Sequence, residues 1–161
     1  MATVPAPVLA PYWPIVYVRG YAMTPAEIAD AVSSPYMGFN VGATKLRQAW
    51  DGQVRRHVFE SPLVRLMKDC GYRDIYTDGT EIIGPVPARS VVIYRYYDSA
   101  DPDLGTGKAP SIVAAAEGLR DLVHRLRVQV CGDDAEALAG FKVHLVAHSM
   151  GGLVCRCFLQ N

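Results

Sequence analysis

The chain predicts an α/β fold with parallel strands, and three stretches carry that expectation. Pro14-Ile-Val-Tyr-Val18 and Val143-His-Leu-Val-Ala147 are short, almost wholly apolar runs of the kind that form buried strands. Ser90-Val-Val-Ile-Tyr-Arg-Tyr-Tyr97 is β-branched or aromatic nearly throughout, as a strand prefers. Between the last two lies a long helical pattern, in which Ile112, Ala116, Leu119, Val123, Leu126 and Val130 recur at spacings of three and four. Strand, helix and strand in that order read as a right-handed β–α–β crossover.

Composition narrows the class. At 161 residues the chain is long enough for one domain with a sizeable core. Half of it is hydrophobic and its formal charge is zero, which fits a globular protein and offers no basic surplus for nucleic acid. No apolar run approaches the roughly 20 residues of a membrane helix. The N-terminus has no basic segment followed by a continuous apolar core, so no secretory signal is expected and the cytoplasm is the expected compartment. Cys70, Cys131, Cys155 and Cys157 show no metal-binding spacing and read as free thiols. No cofactor and no metal are expected.

In chain order, residues 1–13 hold Pro5, Pro7, Pro11, Tyr12 and Trp13 and read as an extended arm into the first strand. That strand ends at Arg19-Gly20-Tyr21. Thr24-Pro25 with Glu27 forms a capping box that opens a helix to about Val32, where Ser33-Ser-Pro35 ends it. Residues 36–90 are long for a simple crossover and read as an insertion or cap-like segment over the substrate site. Within them Thr44–Trp50 and Ser61–Cys70 look helical, the second closed by Gly71. Ile75–Ile83 reads either as a hairpin about Asp78-Gly79 or as a loop. Arg55, Arg56 and His57 read as a solvated basic face.

The Ser90–Tyr97 strand is followed by Asp98, at the strand end where ligands bind in α/β sheets; it could border a site there, but it reads as a strand-ending acid that turns the chain. Gly105-Thr-Gly-Lys108 has the outline of a phosphate loop and fails it. The first required glycine falls on Pro102, and Ala109 replaces the Mg²⁺-binding hydroxyl. Pro110 starts the long helix and Gly132 stops it.

Ala147-His148-Ser149-Met150-Gly151 then joins the last strand to a helical run that begins at Gly152. A serine on a sharp strand-to-helix turn is held clear of the sheet, and its neighbours must be small, as Gly151 and Gly152 are. The helix start beside it offers N–H groups and a positive dipole end to a developing oxyanion. The other reading of Ser149 is a plain helix cap.

These residues resemble the nucleophile elbow of the α/β-hydrolase family, in particular its lipases and esterases, with Ala147 in the first glycine position of G-x-S-x-G. The resemblance implies a three-layer sandwich about a mostly parallel sheet, with residues 1–161 its N-terminal part. It implies Ser149 as nucleophile on an ester or lipid substrate, with the backbone N–H groups of Tyr21 and Met150 as oxyanion hole. Arg19 stands where the family has a histidine before Gly20, which bears on local hydrogen bonding rather than on the backbone donor.

A serine needs a base to take its proton and an acid to orient that base. In the resembled family these follow the serine along the chain. After Ser149 this sequence holds neither an acid nor a histidine, and His57, His124, His144 and His148 all precede it. His148 is adjacent but leaves the turn in another direction. His144 and His148 sit roughly 13 Å apart on a strand, too far to share a metal. The expectation is therefore a serine hydrolase incomplete in this chain, truncated after the elbow helix. A missing C-terminal segment or a second chain would complete the sheet. The alternative is a non-catalytic half-domain that pairs through an open sheet edge; a weaker one is acyl transfer to an alcohol.

Overall fold

A computed structural model describes residues 12–20, 45–48, 51–57, 67, 69–75, 84–103 and 105–161. The helix expected at 24–32 and the hairpin about Asp78-Gly79 lie outside them.

The main sheet contains β1 (Ile15–Val18), β4 (Arg73–Asp74), β5 (Ser90–Tyr94) and β6 (His144–Ala147) in the order β4-β5-β1-β6, and every neighbouring pair is parallel. The expected parallel α/β arrangement is thus present. β1 lies between β5 and β6 and is buried along its whole length. Alternation along the strands sends side chains to two faces. Val16, Val18, Val92 and Leu145 face one apolar cluster; Ile15, Tyr17, Val91, Ile93 and Val146 face another.

The first cluster is closed by α1 (Ile112–Cys131) and α3 (Met150–Gln160), which contribute Ala115, Ala116, Leu119, Leu126, Val130, Val154 and Cys155. The expected apolar stripe of α1 holds at its centre, with Leu119 and Leu126 fully buried, and frays at its start, where Ile112 and Val113 are exposed. Ser111 caps the helix by accepting from the Ala114 N–H, and Gly132 ends it at φ +57. A short helix, α2 (Ala135–Gly140), capped by Asp134, leads to β6. The second cluster is covered in part by Tyr72, Met67 and Cys70.

Two expectations are corrected. Within the helix expected at Thr44–Trp50, the described residues Lys45–Gln48 form a strand instead, β2, antiparallel to β3 (Val54–His57). Lys, Leu, Arg and Gln all favour helix, but strand pairing outweighs that weak preference, and Asp51-Gly52, with Gly52 at φ +79, turns the chain between the two strands. The strand expected to reach Tyr97 stops at Tyr94. There the Asp98 N–H turns back to the Arg95 carbonyl, and a short 3-10 helix, Asp98–Ala100, follows. Residues 67 and 69–70 are helical, as expected, and Gly71 follows at φ +67.

Tyr94 ties β5 to α1. Its Oη donates to the Ala115 carbonyl at 2.8 Å and occupies the place where a Cβ on Gly118 would stand. In an open helix Gly→Ala gains about 1 kcal/mol. Here Gly118→Ala should instead destabilise the fold by about 1–2 kcal/mol through overpacking. Tyr94→Phe should relieve that penalty, so urea unfolding of the single and double variants should show strong non-additivity. Burial also pushes the Tyr94 phenol up to about 12, and raises Tyr72 and Tyr96. The phenols are neutral in both states below pH ~10, so their full contribution is present there. Above it the unfolded chain ionises first. Stability should fall between pH ~10 and ~12, by up to about 1.4 kcal/mol per pH unit for Tyr94 alone, as a drop in the urea midpoint.

Candidate functional site

The site forms where β1 and β6 end side by side. Val18 pairs with Ala147, and the His148 N–H donates to the Val18 carbonyl at 3.0 Å. This register sets Arg19-Gly20 against His148-Ser149. A Cβ on Gly20 would come within 2.7 Å of His148 Nδ1 and 2.8 Å of Ser149 Cβ, so only glycine fits. The two turns that the sequence marks out, far apart along the chain, touch.

Ser149 has φ +53 and ψ −124, and no other described residue except glycine has a positive φ. Such a conformation costs a side chain of order 1–3 kcal/mol and persists only where the surroundings impose it. The surroundings are identifiable: β6 is fixed to β1 before the serine, and α3 starts immediately after it. The Gly151 and Gly152 N–H groups donate to the His148 and Ser149 carbonyls, each at 2.9 Å. Ser149 holds the N-cap position but its hydroxyl makes no capping bond, and the residue is exposed. The plain-cap reading is therefore not what the geometry favours.

The two glycines differ. A Cβ on Gly151 would run into the Val18 carbonyl oxygen and come within 2.5 Å of the Arg19 carbonyl, so α3 approaches β1 as closely as backbone allows. A Cβ on Gly152 would meet nothing among the described atoms within 4 Å. The need for a small residue at both positions, expected from the pattern, holds for the first.

Tyr21, the second expected oxyanion donor, lies outside the described residues. Among those described, no hydrogen bond joins a histidine to the Ser149 hydroxyl. His124 and His144 are exposed on α1 and on β6, and His148 turns Nδ1 toward Gly20. The His57 side chain lies outside the description. His144 and His148 are held by the backbone bonds of β6 to Pro14 and Val18.

A charged cluster beneath the turn did not emerge from the sequence. Arg19 is 1% exposed, with its guanidinium 3.8 Å from Asp98, and Arg95 meets the other oxygen of the same carboxylate at 2.6 Å. Burial lowers the Arg19 pKa and the Asp98 charge opposes that fall. The Tyr96 hydroxyl donates to the Arg19 carbonyl at 2.9 Å. The available signal was a lone arginine closing an apolar strand and an acid just past the neighbouring one. Asp98 turns the chain, as its N–H bond to the Arg95 carbonyl shows, and faces the Arg19 guanidinium.

Among the described residues, no three His, Cys, Asp or Glu side chains are placed to hold a metal. The four cysteines are free. No described helix is long and apolar enough to cross a membrane. A shallow cleft of about 340 Å³ lies between Val113, Glu117 and Arg120 of α1 and the C-terminal end of α3, away from the serine. No family model matches the chain, and no curated protein or solved structure matches it.

Proposed function

We propose that the chain is part of an α/β-hydrolase-like serine esterase or lipase with Ser149 as its nucleophile. The observation that carries this reading is the Ser149 backbone, at φ +53 between β6 and α3, in an exposed residue whose hydroxyl makes no capping bond. The neighbouring β1 supports it, because the turn expected to carry an oxyanion donor abuts the serine.

In this reading the Ser149 hydroxyl attacks an ester carbonyl carbon while a base takes its proton. The carbonyl oxygen becomes an oxyanion, met by the Met150 N–H and, by the family resemblance, the Tyr21 N–H. Each such donor is typically worth about 3 kcal/mol. The alcohol leaves with the proton from the base, and water then releases the acid. The first N–H groups of a helix have no partner in its own ladder. Those of Gly151 and Gly152 turn back to the preceding carbonyls, which leaves Met150 for the oxyanion. The base and its orienting acid are proposed to come from outside these 161 residues.

The test is to treat the full natural gene product with a fluorophosphonate and map the adduct. Ser149 should carry it, and an adduct elsewhere or none at all would sink the reading. The 161-residue chain alone should turn over a short-chain p-nitrophenyl ester negligibly. Robust turnover that disappears in Ser149→Ala would show that a histidine upstream serves as base.

One observation favours a second reading, a half-domain that binds through its sheet edge. Among the described strands β6 pairs with β1 alone and stands last in the sheet, with His144 and Ala147 exposed. An open edge is a template for another strand. Light scattering of a stable monomer, with slow amide exchange at Leu145 and Ala147, would count against it.

A further inference from the structure

We propose that Asp98 is a positioning residue for the Ser149 site, acting through Arg19 to hold the Arg19-Gly20 turn in register with the elbow. The inference rests on reading Ser149 as a nucleophile.

Arg19 is gripped at two points from the segment that follows β5. Tyr96 Oη donates to its carbonyl, and Asp98 faces its guanidinium. Asp98 is itself held from the other side by Arg95 at 2.6 Å. A buried guanidinium is costly unless a carboxylate accompanies it, and Asp98 faces that of Arg19. What Arg19 does, the elbow feels. Its carbonyl lies against Gly151, and the next residue, Gly20, abuts Ser149 and His148. Three links thus run from a carboxylate to the nucleophile, Asp98 to Arg19, Arg19 to Gly20 through the chain, and Gly20 to Ser149, with a branch from the Arg19 carbonyl to Gly151 at the helix start. No slack remains at the Gly20 and Gly151 contacts, because a single methyl would fit at neither. Misplacement of a reacting group by about 1 Å can cost on the order of a hundredfold in rate, so an ion pair that fixes this gap belongs to the machinery of the site.

The experiment compares the full chain with Asp98→Asn, Asp98→Glu and Leu126→Ala, the last a core change remote from the turn. Amide exchange is read at His148 and Gly151, whose N–H groups are bonded, and, as reference, at Val16 and Val92. Asp98→Asn should speed exchange at the first two about tenfold relative to the reference pair. Asp98→Glu should restore most of the protection, and Leu126→Ala should raise exchange evenly. If Asp98→Asn fails to fold, Tyr96→Phe removes only the hydroxyl on the Arg19 carbonyl and should give the same local pattern. An even rise, or none, in the folded variant overturns the proposal. Where the fluorophosphonate labels Ser149, Asp98→Asn should slow labelling at saturating probe about tenfold with half-saturation unchanged. The local pattern without a Ser149 adduct sinks the nucleophile reading and leaves the latch. A Ser149 adduct with even exchange sinks the latch alone.

Discussion

Gly151→Ala should be among the most damaging single-methyl changes in this protein, lowering stability by about 3 kcal/mol or more. The added Cβ would fall on the Val18 carbonyl oxygen, 2.5 Å from the Arg19 carbonyl oxygen and 2.8 Å from the Val18 carbonyl carbon. These are backbone atoms of the wholly buried strand β1 and of the residue that follows it, and they cannot swing aside as a side-chain tip can. Either α3 lifts from the sheet, exposing Val154 and Cys155, or the turn at Ser149 unwinds. The gain of about 1 kcal/mol from replacing a helical glycine does not offset this. For a chain of this size the melting temperature should fall by roughly 10 °C. Gly152→Ala is the internal control. Its methyl meets nothing among the described atoms, so the helix gain should appear undiminished and the protein should be slightly more stable. If both variants behave alike, the close approach of α3 to β1 is not what the structure indicates.

Much of this arrangement was legible from residue patterns, for a physical reason. β1, β5, β6 and α1 are buried on one side or both, and burial writes a period of two or of three to four into the sequence. The tight turn at Ser149 was legible because few backbones can put a serine between a strand and a helix, and all need a small residue beside it. What failed was less constrained by burial. Lys45–Gln48 has helical residues and forms a strand because Val54–His57 lies opposite. β4 is two residues long, too short to carry any period. Arg95-Tyr96-Tyr97 prefers strand conformation, yet the chain turns there, and Tyr96 reaches the Arg19 carbonyl while Arg95 pairs with Asp98. Arg19 itself was marked only as a departure from a histidine. Its partner is 79 positions further on, and nothing local announces an ion pair made across a sheet.

Ser149→Gly should raise stability while removing all reactivity at this position, and Ser149→Ala should remove the reactivity at no cost in stability. At φ +53 and ψ −124 the serine side chain carries strain of order 1–3 kcal/mol, which glycine does not. Glycine gives back roughly 0.5–1 kcal/mol through the freer unfolded chain, which leaves a net gain near 1 kcal/mol and a melting temperature higher by about 2–4 °C. Alanine keeps the Cβ and therefore the strain, and loses only the hydroxyl. That loss is where the two readings of Ser149 part. A capping serine would cost about 1 kcal/mol when replaced by alanine, because a helix N–H would go unsatisfied. A serine held ready for chemistry costs nothing, because its hydroxyl makes no capping bond. Thermal unfolding of the two variants decides between them without any assay of turnover. Alanine neutral and glycine stabilising is the expected pattern, and alanine destabilising by a full kilocalorie would return Ser149 to the role of a cap. Strain kept at one exposed serine, when a glycine would remove it, fits the proposed nucleophile better than a structural serine.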